Sequence, residues 1–280
     1  MKDSNRETGA VGIRLRRLRR RLGRRWRLLR GLDLEGAVLV YQMGKVASTS
    51  VFHSLLDLPG CQAYHVHRMA PDNIARMRQA YLDRGMPPLD DRLGRQLYQR
   101  LVLPGRPASV ISLVREPISR NISAFFQGLD GYAGQRDAHR HLDTDALIDC
   151  FFSRYLHSIP VEWFDREMKA SLGIDVFDSP FPRAQGHQQL ASGPYRLLLM
   201  RHDLDDEVKE RAVAEFLGRD DFRLRRVNEA SAKGYAEAYR AFRERIRVPA
   251  EYADGLLGSR YARHFYDAEA LAAFRRRWVG

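Results

Sequence analysis

What most limits the folds open to this chain is a set of short apolar runs that do not alternate. Ala37-Val38-Leu39-Val40-Tyr41, Ala63 to Val66, Ser109-Val110-Ile111-Ser112-Leu113-Val114 and Arg196-Leu197-Leu198-Leu199-Met200 are each long enough for one strand. A strand with one wet face reads apolar, polar, apolar; an unbroken run is covered on both faces, which is the condition of a parallel sheet under helices. The segments between them carry helix signals. A helix is expected from near Thr49, another from Pro71-Asp72-Asn73 to about Arg84 before the Pro87-Pro88 loop, and others at about 118–127, 142–157, 161–171 and 204–217, the last stopped by Gly218. Phe222 to Val227 is expected to be a late strand or an extended segment, and the remainder helical and aromatic. The fold class is therefore α/β, a parallel sheet flanked by helices on both faces, in one domain over residues 34–280.

Charge sets residues 1–33 apart. The chain carries a formal +12 over 280 residues, a balance that invites a nucleic-acid partner. Twelve of its Lys and Arg, however, lie in residues 1–30 against only Asp3 and Glu7, so the rest is close to neutral. Leu15, Leu18, Leu22, Trp26 and Leu29 recur every three or four residues among those arginines, which predicts a basic amphipathic helix. Its first-ranked partner is an anionic membrane surface, through residues 14–30. A solvated arm and unspecific phosphate binding rank behind it, and no specific nucleic acid is expected. No run of about 18 apolar residues spans a bilayer. Asp33 and Glu35 interrupt before any signal-type apolar region, so the expected location is cytoplasmic, peripheral on the inner face of the membrane. Cys61 and Cys150 build no disulfide framework and no zinc motif, in keeping with a reducing compartment.

Two strand-to-helix turns carry the chemistry. In the first, Gly44-Lys45-Val46-Ala47-Ser48-Thr49-Ser50, glycine permits close backbone approach, lysine supplies a cation, and three hydroxyls stand beside the first helical turn. It is not a Walker A loop: Val46 stands where the Mg²⁺-binding Ser or Thr would follow the lysine, and the leading glycine is missing. In the second, Arg115 at a strand end and Ser123 eight residues on can converge on one phosphate, the guanidinium by its fork and the serine by its hydroxyl.

Lys45-Val46-Ala47-Ser48-Thr49-Ser50 resembles the phosphosulfate loop of the sulfotransferases that use 3′-phosphoadenosine-5′-phosphosulfate (PAPS), most of all the glycan 2-O-sulfotransferase branch with its Lys-x-Ala-Ser-Thr-Ser pattern. Arg115 to Ser123 resembles that superfamily's 3′-phosphate motif, and Asn228 to Tyr235 resembles its loop closing on the same phosphate through a Lys-Gly pair, here Lys233-Gly234. From about residue 36 to the end, Glu162-Trp163-Phe164-Asp165 and Ser259 to Tyr266 included, the chain is similar to bacterial capsular polysaccharide synthesis proteins. The resemblance implies a P-loop-NTPase-like sulfotransferase fold that moves a sulfuryl group from PAPS to a saccharide hydroxyl on a surface or capsular glycan or glycolipid precursor, releasing PAP and needing no metal. Lys45 would then neutralise charge on the leaving phosphate, Ser48, Thr49 and Ser50 would hold the 5′-phosphate with the loop backbone, and Arg115, Ser123 and Lys233 would hold the 3′-phosphate.

The acceptor hydroxyl needs a base, and Tyr64-His65-Val66-His67 offers one. Residues two apart on a strand share a face, so both histidines can enter one cleft. By the branch's His-x-His pair, His67 is the expected base and His65 an orienting partner. Where the small-molecule sulfotransferases carry Thr-Thr-Trp, this chain has Ser50-Val51-Phe52, which leaves the adenine platform unassigned. Two rival readings follow from the same residues: a P-loop-type kinase or NTPase using Gly44-Lys45, which needs an acid at a strand end, and a non-catalytic membrane-binding protein of polysaccharide synthesis run by its tail.

Overall fold

A computed structural model describes residues 32–226 and 234–279. The chain divides into two units, 1–35 and 36–280. The amphipathic helix expected at residues 14–30 and the candidate Lys233 lie outside the described residues.

The second unit is built on a five-stranded sheet in the order β2-β1-β3-β5-β4, with β1 Val38–Tyr41, β2 Ala63–Val66, β3 Ala108–Val114, β4 His187–Ser192 and β5 Tyr195–Arg201. β1, β2, β3 and β5 run parallel and correspond to the four apolar runs; β1 is buried at every position, so both its faces are covered. β4 departs from the expected all-parallel sheet. It pairs antiparallel with β5 across the Gly193-Pro194 turn and lies at the edge, with every second residue exposed in its last four. An edge strand needs no double burial, so His187-Gln188-Gln189-Leu190-Ala191-Ser192 carries none of the apolar signal that marks the others. Residues 222–226 form no strand.

Helices fill the connections. After β1 comes α1 (Ser48–Asp57), after β2 α2 (Pro71–Leu82) and α3 (Arg92–Leu97), the last running on through a π-helical turn, Tyr98–Val102. After β3 come α4 (Pro117–Gln127), α5 (Leu129–Ala133), α6 (Ala138–His141), α7 (Thr144–Arg154) and α8 (Ile159–Trp163). The helical path of α8 continues through a π segment, Phe164–Lys169, to Ala170–Leu172. Beyond β5 lie α9 (Asp206–Leu217), α10 (Ala236–Arg245), α11 (Ala250–Leu257), α12 (Arg260–Phe265) and α13 (Ala268–Trp278). Local chemistry sets several ends. Glu116 caps α4 ahead of Pro117, Asp143, Ser259 and Asp267 cap α7, α12 and α13, and Gly218 ends α9 in the left-handed conformation at φ 63°.

The core anchors the helix that matters most to the site. Ile118, Ile122, Phe125 and Phe126 of α4 pack into a cluster with Phe151, Tyr155 and Phe242, and the Phe125 ring meets Phe126 and Phe151 edge to face. On the other side of the site, the buried carboxylate of Glu167 ties three segments together. It accepts from the Tyr41 hydroxyl at the end of β1, from the Met69 and Ala70 amides at 2.7 and 3.0 Å, and from the Asn73 side chain in α2. Burial raises its pKa against the pull of these donors. Glu167→Gln should cost about 1–3 kcal/mol in urea unfolding, because the new amide must face one of these donors and leave it unpaired. Asn73 cannot turn to meet it, since its oxygen accepts from Arg76. A midpoint equal to wild type would remove Glu167 from this role.

Strand order locates the crevice. The chain leaves β1 for β2 on one side and returns to β3 on the other, so the loops after β1 and β3 diverge at the sheet's carboxyl edge, where ligands bind in open α/β sheets.

Candidate functional site

The loop after β1 has an unusual backbone. Gly44, Lys45 and Ala47 all have positive φ, at 82°, 64° and 60°. Left-handed backbone at a lysine and an alanine is strained, and such strain persists only where the surroundings impose it. Lys45 and Ala47, left-handed on either side of Val46, give the change of hand from which backbone anion-binding nests are built. Ala47 is also the N-cap of α1, offers no side-chain cap, and no acid stands in the first turn. The first turn at residues 48–50 thus presents the positive end of the helix dipole with no side-chain cap, the arrangement at which helices bind an external anion.

Arg120 imposes the loop conformation. Its buried guanidinium comes from α4 and donates to the Gly44 carbonyl at 3.2 Å, to the Met43 carbonyl, and to the Tyr155 hydroxyl at 2.7 Å. Two consecutive carbonyls are thereby held on one side of the loop. A Cβ on Gly44 would stand 3.9 Å from Arg120 Nη2 and 4.0 Å from His67 Cε1, so this glycine lies between the clamp and the candidate base.

Gln42 organises the floor. Its Oε1 accepts from the Gly44 amide, which fixes Nε2 as the donor toward Ser48 Oγ at 2.7 Å and His65 Nε2 at 2.8 Å. His65 Nε2 therefore accepts, and it also lies 3.0 Å from Ser48 Oγ. This builds His65 into the support of the loop. The two histidine rings share a face as their spacing predicted, with centroids 4.9 Å apart. His67 Nδ1 lies 2.9 Å from the Gln42 carbonyl, which can only accept, so the proton of the neutral ring sits on Nδ1 and Nε2 is the basic nitrogen. The Trp163 indole donates to the His67 carbonyl at 2.9 Å and fixes its backbone.

The second turn reaches the first. Arg115 Nη1 donates to the Lys45 carbonyl at 3.0 Å, across 70 positions of sequence. Its backbone is held by the Tyr261 hydroxyl, which accepts from the Arg115 amide and donates to its carbonyl. Burial, with Arg243 nearby, lowers the Arg115 pKa, and Nε has no hydrogen-bond partner among the described residues. The neighbouring Glu116 does not pair with it: its two carboxylate oxygens accept from the Ile118 and Ser119 amides at 2.8 Å each. This cap occupies the amides at the start of α4, so the second turn offers side chains rather than a helix terminus. Ser123 lies half-buried two turns into α4. Gly234 is exposed ahead of α10, the helix that carries Tyr239 and Arg243 into electrostatic range of Arg115.

Sequence reasoning missed Arg120 and Gln42. Each stands within three residues of a residue it did name, but a clamp is visible only once the two loops are brought together. For the kinase reading, β3, the strand beside β1, supplies no acid: it leads into Arg115 and then into a glutamate spent on its own helix. Among the described residues no group of three or more His, Cys, Asp or Glu is placed to hold a metal ion, and no helix is long and apolar enough to cross a membrane.

No curated protein and no solved structure matches the chain. A family does match over part of it, a span narrower than the similarity expected from residue 36 onward: it includes Trp163, Gly234 and Tyr261 but stops short of Lys45, His67 and Arg115. Over residues 140–267 the chain is similar to the NKWYS family, described as "Putative capsular polysaccharide synthesis protein".

Proposed function

We propose that this protein transfers a sulfuryl group from PAPS to a hydroxyl of a saccharide in the synthesis of a capsular or other surface glycan. The observation that carries the reading is the bond from Arg115 to the Lys45 carbonyl, which joins two anion-binding turns into one site. The residues fit a donor anionic at both ends. One end has a strained nest on an uncapped helix, and the other a half-buried guanidinium with an Nε that makes no hydrogen bond among the described residues.

PAPS would bring an activated sulfuryl group whose transfer releases PAP. The chain's part is positioning and charge. The amides of residues 45–50 and the Ser48, Thr49 and Ser50 hydroxyls would hold the 5′-phosphate, with the Lys45 ammonium as the cation beside the phosphosulfate. Arg115, Ser123 and Lys233-Gly234 would hold the 3′-phosphate. His67 would take the acceptor's proton at Nε2, while Gln42 keeps Nδ1 protonated and the ring oriented. The match to a capsular synthesis family favours a polysaccharide acceptor. Residues 14–30 would keep the enzyme at an anionic membrane on the cytoplasmic side, near such an acceptor.

The test is transfer of labelled sulfate from PAPS to a panel of capsular oligosaccharides by the full chain, beside calorimetric titration with PAP. Labelled glycan and saturable PAP binding are expected. Absence of heat with PAP would defeat the assignment, and PAP binding with ATP and Mg²⁺ turnover instead would move it to the kinase class.

A further inference from the structure

The carboxyl ends of β3 and β5 hold a half-buried group that the proposed reaction leaves unused. Register pairs Val114 with Arg201, and the His202 amide donates to the Val114 carbonyl at 2.9 Å, so Arg115 and His202 leave the sheet side by side. The His202 side chain is 25% exposed, and its Nδ1 is buried with no hydrogen-bond partner among the described residues. Its nearest carboxylate, Asp203, stands 3.9 Å away, too far for a hydrogen bond, and accepts from Arg201 at 3.1 Å.

The charges facing this ring come from three directions. Arg115 approaches from the turn after β3, Arg201 and Asp203 flank it on its own strand end, and the buried Lys209 reaches in from α9, where it lies 3.6 Å from Asp206. Tyr266, whose buried hydroxyl also lacks a partner among the described residues, packs its ring under the Arg201 guanidinium at 5.5 Å. Three cations and one carboxylate next to the ring oppose a fourth positive charge. Burial first, and then this field, push the His202 pKa down to about 4, so the apo ring is neutral near pH 7.

A neutral imidazole with an unused nitrogen, set among cations beside an anion-binding arginine, is arranged for a phosphate. A dianion at Arg115 would cancel the opposing field and offer an acceptor to a protonated ring. We propose that His202 is a further arm of the phosphate subsite at Arg115, and that nucleotide binding is coupled to uptake of one proton from solvent by the His202 ring. This rests on the PAPS reading and adds a proton linkage to it: affinity falls as pH rises, because the bound state holds a proton that the apo state lacks.

The test compares the full chain with its His202→Gln variant, titrating PAP near pH 6.5 in two buffers of different ionisation enthalpy. The difference between the two proteins cancels the titration of PAP itself. Wild type should take up more protons than His202→Gln, by about half a proton or more per PAP bound. His202→Gln should weaken PAP binding by roughly 3–10-fold near pH 6.5, with little difference left by pH 8. Equal proton uptake with intact binding in both proteins overturns the role of His202 and leaves the nucleotide reading standing. Absence of PAP binding by wild type overturns the nucleotide reading itself. His202→Asn, measured alongside, separates loss of the titrating ring from a packing defect, because both amides remove the proton site and should abolish the extra uptake equally.

Discussion

His67→Ala is expected to lower kcat for sulfate transfer by about 10²–10⁴-fold while leaving PAP affinity unchanged. The split follows from geometry. His67 Nδ1 is held by the Gln42 carbonyl, which puts the basic lone pair on Nε2, and Trp163 fixes the backbone that aims the ring. None of these contacts belongs to the nest at residues 45–50, so removing the ring takes away a base and not a binding group. His67→Asn is the sharper variant, since its amide can still donate toward Gln42 but accepts no proton. Turnover within tenfold of wild type in both variants, with PAP still bound, would assign the proton transfer to another group.

Arg115→Ala should act in the opposite way, weakening PAP binding by on the order of 100-fold or more. Truncating one member of a buried, hydrogen-bonded charge pair costs about 2–5 kcal/mol, much of it from the partner left unpaired. Two losses combine here: the phosphate would lose its fork, and the Lys45 carbonyl would lose its anchor, loosening the strained loop. Arg115→Lys keeps the charge but not the planar fork, and should fall between wild type and alanine. Calorimetry at one fixed salt concentration reads the effect, because the ionic part is screened as salt rises. An unchanged Kd in Arg115→Ala would mean that the second turn binds no phosphate.

Much of this architecture was legible because burial writes itself into sequence. β1, β2, β3 and β5 are apolar runs because they are covered on both faces, and His65 and His67 share a face because side chains along a strand repeat every two residues. β4 was not legible, since a half-exposed edge strand needs no such run. The role of Glu116 was legible in principle. A glutamate before a proline that opens a helix is placed to accept from the first-turn amides, a signal outweighed by the arginine beside it. Arg120, Gln42, Glu167 and His202 could not be read at all. Each acts on a segment distant in sequence or through a network, and nothing in the local pattern separates a buried arginine holding carbonyls from one on the surface.

Arg120 and Ser123 ride on the same helix, three residues apart, which is about 4.5 Å along its axis. One grips the backbone of the loop after β1 and the other is the candidate hydroxyl for the far phosphate, and the aromatic cluster beneath α4 keeps that helix from sliding. On the PAPS reading, helical rise along α4 then helps to set the spacing between the two ends of the site. A site gauged in this way works as a caliper: on the PAPS reading, it would sort adenosine nucleotides by the distance between their phosphates, with no need for a residue that reads the base.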